Sequence, residues 1–159
     1  MSTSGPDATI EPGAHRILGV TLYNHCWDLL VLADRTPEQT DELIHAAHAS
    51  RHHWAAAATG EPWRLARGEW LCSRVYAVLG RPEPSLWHAR RCLAVLERDG
   101  AGDDWDVAAA CEAMARAYAV AGDGAASAEW RDRAIEALDL IEDPEDRLQI
   151  EGDLASIPT

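Results

Sequence analysis

The chain has no lysine and no phenylalanine, so all 14 of its basic residues are arginine. The missing lysine excludes a phosphate-cradling loop of the P-loop kind, a Schiff-base nucleophile and a serine–lysine dyad. No GxGxxG, HExxH or CxxC spacing occurs, and Ser50, Ser73 and Ser85 sit in helical stretches without a nucleophile elbow. No apolar run approaches the roughly 18 residues a membrane span needs. The first 13 residues, rich in Ser, Thr, Gly and Pro, carry neither the basic nor the apolar region of a signal peptide and read as a flexible lead-in. A cytoplasmic chain with reduced thiols is expected. Cys26, Cys72, Cys92 and Cys111 each fall in an apolar, alanine-rich stretch and are expected as small buried hydrophobes.

Basic charge is in short supply. Fourteen arginines against 27 acidic residues leave a net charge of −13 in 159 residues. The deficit is concentrated in residues 97–159, which hold 17 acids and 5 arginines. Such a chain is repelled by phosphate backbones and anionic lipid, so neither nucleic acid nor a membrane surface is an expected partner. The stretch 62–96 is the exception, with Arg64, Arg67, Arg74, Arg81, Arg90 and Arg91 against Glu69 and Glu83.

What the chain does have is alanine, close to a fifth of it, seven tryptophans, and Gly/Pro punctuation at near-regular intervals. The pattern predicts an all-α fold in a single domain over 14–159. Helices are expected over 15–37 (in two parts broken near Asp34), 37–57, 62–79, 84–98, 104–121, 125–141 and 144–155. The stretch Arg74-Val75-Tyr76-Ala77-Val78-Leu79-Gly80 returns 42 residues later as Arg116-Ala117-Tyr118-Ala119-Val120-Ala121-Gly122. The same offset carries Ser85 to Ser127 and Cys92 to Ala134, and a fainter copy lies upstream. Small residues at these places let helices approach closely, and Gly80 and Gly122 suit the left-handed cap that ends a helix. Three stacked antiparallel hairpins with a closing helix follow.

Ala115, Tyr118, Gly122, Ser127 and Ala134 stand at the spacing at which tetratricopeptide repeats place a small residue, Tyr, the turn Gly and two small residues seven apart. The chain therefore resembles a divergent member of that family, with a period of 42 against about 34. The resemblance implies an α-α array whose first helices line a concave surface that holds partners.

Register through the repeat sets Tyr23 and Trp27, Trp70 and Arg74, and Glu112 and Arg116 at matching places, each pair at i, i+4 and so on one face, with Arg67 a turn before Trp70. Arginine grips carboxylates bidentately and tryptophan supplies flat apolar contact. The leading expectation is thus a binding module whose groove, built from Tyr23, Trp27, Arg67, Trp70, Arg74, Glu112 and Arg116, holds a protein, a peptide or an anionic small molecule.

The alternative is a metal site. His25, His45, His48, His52 and His53 cluster in the first hairpin, and His45, His48 and His52 share one helix face. A pair of them, completed from His25, Asp28 or Glu69, would suit a divalent transition metal such as zinc, iron or copper. Acid–base work by His48, Glu69 and Arg74 is conceivable, but no activated nucleophile accompanies them, so an enzymatic role depends on that metal.

Overall fold

A computed structural model describes residues 10–57 and 60–159, so residues 1–9 of the expected lead-in lie outside the described residues. Among the described residues it contains seven helices and no strand: α1 (Pro12–Leu30), α2 (Pro37–Ala56), α3 (Trp63–Val78), α4 (Pro82–Asp99), α5 (Asp106–Val120), α6 (Gly124–Leu138) and α7 (Pro144–Ala155). No described helix is long and apolar enough to cross a membrane.

Local chemistry sets the ends. Proline occupies the first turn of α1, α2, α4 and α7, where its missing N–H costs nothing. α2 opens on a capping box: the Gln39 N–H donates to Thr36 Oγ1 at 3.3 Å, and the Thr36 N–H donates to Gln39 Oε1 at 2.9 Å. α3 and α5 stop in the same way. Gly80 and Gly122 take φ of 66° and 78°. The Arg81 N–H then returns to the Tyr76 carbonyl at 2.9 Å, and the Asp123 N–H to that of Tyr118 at 3.0 Å. This six-to-one bond is the geometry a left-handed glycine permits. The first helix differs from expectation: it begins at Pro12 and ends at Leu30, with the Arg35 guanidinium donating to the carbonyls of Leu29, Leu30 and Leu32.

The helices pack as sequential antiparallel pairs, α1 with α2, α3 with α4 and α5 with α6, while α7 lies against α5 and α6. Small side chains make the close crossings. Ser85 donates its hydroxyl to the Ser73 carbonyl at 3.0 Å, and Ala89, Ala110, Ala115 and Ala134 are fully buried. All four cysteines are free and buried, as expected. Trp70 packs against each of the four clusters into which the core divides, so one indole joins every layer.

Polar groups fasten α7. The Arg116 guanidinium donates to Glu112 at 2.6 Å, to the Asp153 carbonyl at 2.7 Å and to Ser156 Oγ at 2.8 Å, which satisfies carbonyl groups at the end of α7. Arg74 pairs with Glu112 and with the Asp153 carboxylate. Arg74, Glu112 and Arg116 are 8%, 1% and 7% exposed. Removing one partner from such a buried set strands the others and costs about 3–5 kcal/mol. Arg116→Ala is therefore expected to strip hydrogen-exchange protection from residues 144–155 first and to lower the urea midpoint by a corresponding amount, with the α1–α4 amides remaining protected in the native state.

Candidate functional site

The helices α1, α3, α5 and α7 enclose a cavity of about 340 Å³. Tyr23 and Trp27 enter it from α1, Arg67 and Trp70 from α3, Asp106 and Ala109 from α5, Asp146, Gln149, Ile150 and Asp153 from α7, and Trp105 from the residue before α5. The i, i+4 spacing of Tyr23 and Trp27 turns both rings the same way, with centroids 6.4 Å apart, and the Trp27 and Trp70 centroids are 5.8 Å apart across the helices. The result is an aromatic wall with carboxylates opposite. Burial pushes the Tyr23 hydroxyl up from its ordinary 10.0, so this phenol stays neutral. Trp70 Nε1 is buried and has no hydrogen-bond partner among the described residues.

Four of the seven expected groove residues, Tyr23, Trp27, Arg67 and Trp70, line this cavity. The other three, Arg74, Glu112 and Arg116, continue the same column but are covered by α7 and spent on holding it. They are not groove-lining side chains, because the closing helix lies on the row that repeat register leaves open. Trp105, Asp106 and the α7 residues are additions that the register did not supply.

The charge of the cavity also differs from the expected arginine-rich one. The Arg67 guanidinium donates to both carboxylate oxygens of Asp106, at 2.8 and 3.2 Å, and also pairs with Asp103. It lies between two indoles, 4.2 Å from the Trp63 ring centroid and 4.1 Å from that of Trp105. Burial alone would lower its pKa, but the Asp106 and Asp103 carboxylates outweigh this and raise it, so the charge is fixed and compensated. Three carboxylates and a single guanidinium line the cavity. The Asp146 pKa is raised above the ordinary 3.8, first by desolvation and then by the charges of Asp143, Asp104, Asp103 and Glu145.

The expected metal ligands are dispersed. His25 is paired with exposed Glu42 at 2.8 Å, and Asp28 and His45 are exposed. His52 is exposed near the rings of His15 and His53, and His15 and His53 are joined Nδ1 to Nδ1 at 2.7 Å. His25 and His45 line one surface depression with Glu42, while His48 and Glu69 share a second neighbourhood that is not the first hairpin alone. His48 from α2 meets Cys72 and Tyr76 from α3 and His88 from α4. His48 Nε2 and the Tyr76 hydroxyl are 2.9 Å apart, and His88 Nδ1 lies 2.6 Å from Glu69 Oε2. Burial and the nearby His88 lower the His48 pKa from 6.5, which favours the neutral ring. The Cys72 thiol is pushed up by burial and by the Glu69 charge. Glu69 is fully buried and also accepts from Arg51 and Arg91, each at 2.9 Å. Arg74, the third member of the acid–base grouping, is engaged elsewhere, with Glu112 and Asp153.

Burial would raise the Glu69 pKa, but hydrogen bonds from His88, Arg91 and Arg51 override it and lower it from 4.5 to about 2. A depressed carboxylate pKa contributes stability that is present above the ordinary value and lost as protons bind in the folded state. Thermal stability is thus expected to decline as pH falls from 4.5 toward 2, and Glu69→Gln, less stable at neutral pH, should show a shallower decline over that window.

Compared with family models, curated proteins and solved structures, the chain finds no match.

Proposed function

We propose that the chain is a helical-repeat binding module, of the kind tetratricopeptide repeats exemplify, whose groove holds a peptide-like or small-molecule partner with an apolar body and a cationic group. The observation that carries this reading is the pairing of an aromatic wall (Tyr23, Trp27 and Trp70) with carboxylates across a cavity of about 340 Å³. That volume falls in the range of small-ligand pockets, which are mostly apolar with a few placed polar groups. The sign of the partner follows from compensation. An acidic head would need a guanidinium free to grip it, yet Arg67, Arg74 and Arg116 are each held by carboxylates of the chain itself. A cation meets indole faces and the exposed, field-laden Asp146 instead.

Tryptophan fluorescence tests this directly. A short arginine- and leucine-containing peptide is expected to quench emission saturably and to bind less tightly as salt is raised. An aspartate- and leucine-containing peptide of the same length should bind at least tenfold more weakly. Trp27→Ala should weaken binding of the basic peptide by about tenfold, the scale of a desolvated cation–π contact, and Asp146→Asn should weaken it while reducing the salt dependence. Preference for the acidic peptide would overturn the charge assignment. Failure of both peptides to bind would count against the groove as a binding surface.

A further inference from the structure

We propose that His48, Cys72 and His88 form a site for one divalent transition metal ion of the zinc class, set between α2, α3 and α4. One ring nitrogen of each histidine and Cys72 Sγ all lie within 4.8 Å of one another, drawn from three helices, and they are the group of this kind found among the described residues. The rings are already gathered: the His48 and His88 centroids are 5.2 Å apart, and Tyr76 stacks on His88 at 5.8 Å with an interplanar angle of 11°. Zinc–sulfur and zinc–nitrogen bonds of about 2.3 and 2.0 Å in a tetrahedron require the three atoms to draw together by up to about 1.5 Å, a distance within reach of side-chain rotation.

The surroundings fit as well. A metal-bound histidine characteristically gives its other N–H to a carboxylate, which fixes the tautomer and strengthens the ligand. His88 has that partner in Glu69, at 2.6 Å, and Arg51 and Arg91 hold Glu69 in turn. His48 has the Tyr76 hydroxyl on Nε2. Each ring therefore has one nitrogen engaged in these bonds, while His48 Nδ1 and His88 Nε2 stay outside them. One thiolate and two imidazoles select zinc, cobalt or copper over magnesium and calcium, and three protein ligands leave a fourth position for water or a small ligand. Cys72 is fully buried, while His48 and Tyr76 are only partly so, which puts the approach on the His48 side. Binding forms the metal–sulfur bond and releases the thiol proton to solvent, with no change of oxidation state. None of the three ligands lines the groove between α1, α3, α5 and α7, so this site stands or falls independently of the groove.

The test uses the full chain without a histidine tag, stripped with a chelator, kept anaerobic and titrated with Co(II) alone. Binding is expected to saturate at one equivalent with tetrahedral visible bands and a near-ultraviolet thiolate-to-cobalt band, both abolished by added zinc. Cys72→Ser should lose the near-ultraviolet band. His48→Ala, at a partly exposed position, should fold by circular dichroism and bind Co(II) at least about tenfold more weakly. His45→Ala with His52→Ala, and separately Trp27→Ala, should leave the spectrum unchanged. The proposal is overturned if the wild-type spectrum stays that of hydrated cobalt, if the thiolate band survives in Cys72→Ser, if His48→Ala binds as tightly as wild type, or if the His45, His52 double variant loses the site.

Discussion

The rotational setting of α3 is fixed by a buried carboxylate. Glu69 sits at the middle of that helix with no exposure and accepts hydrogen bonds from Arg51 of α2 and from His88 and Arg91 of α4. Burying a carboxylate is costly unless its charge and lone pairs are met, and here cationic and neutral donors from both flanking helices meet them. Once Glu69 faces α2 and α4, helical geometry dictates the rest. Cys72, three residues on, looks the same way and reaches His48 and His88, whereas Trp70, about a fourth of a turn from Glu69, looks into the groove. One internal ion cluster thus orients both candidate sites, on two sides of one helix.

The same logic, repeated along the groove, turns an arginine-bearing face into an acidic one. Arg67 and Arg74 project from α3 and are met by carboxylates from later in the chain, Asp103 and Asp106 for the first and Glu112 and Asp153 for the second, while Arg116 of α5 pairs with Glu112 one turn before it. The excess of acid in residues 97–159 is therefore not only a solvated surface. Part of it neutralises the arginines of the stretch 62–96, and the remainder, around Asp143, Glu145 and Asp146, sets the sign of the field at the cavity mouth.

What was legible in the sequence was what local chemistry decides. Gly80 and Gly122 end their helices with matching hydrogen bonds, and Ser73 meets Ser85 at a crossing, because turn conformation and steric size are properties of single residues. The aromatic half of the groove was legible for the same reason, since Tyr23, Trp27 and Trp70 follow helical spacing. The burial of Arg74, Glu112 and Arg116 was not, because it depends on where α7 lies, and α7 has no counterpart in the 42-residue offset. The same offset also carries Trp63 onto Trp105, the two rings that clasp Arg67. The metal ligands show the limit of one-dimensional spacing. His45 and His52 share a helix face with His48, yet the side chains that reach His48 come from Cys72 and His88, on other helices, and periodicity within one helix carries no information about its neighbours.

The Arg67 cluster indicates what the groove can hold. A guanidinium there lies about 4 Å from each of two indole faces while a carboxylate takes its edge in a two-point grip. The chain has thus assembled, from its own residues, the surroundings that stabilise a delocalised cation at low desolvation cost. Beside it, Trp27 and Trp70 offer a second pair of rings at 5.8 Å, and Asp146 a carboxylate held under the repulsion of its neighbours. An incoming cation need not displace Arg67 from Asp106 or Arg74 from Asp153, since this second set of aromatic and acidic groups lines the same cavity. In the proposed reading a partner's positive charge would sit beside Asp146, around which Asp143, Asp104, Asp103 and Glu145 gather charge of the opposite sign to the partner's.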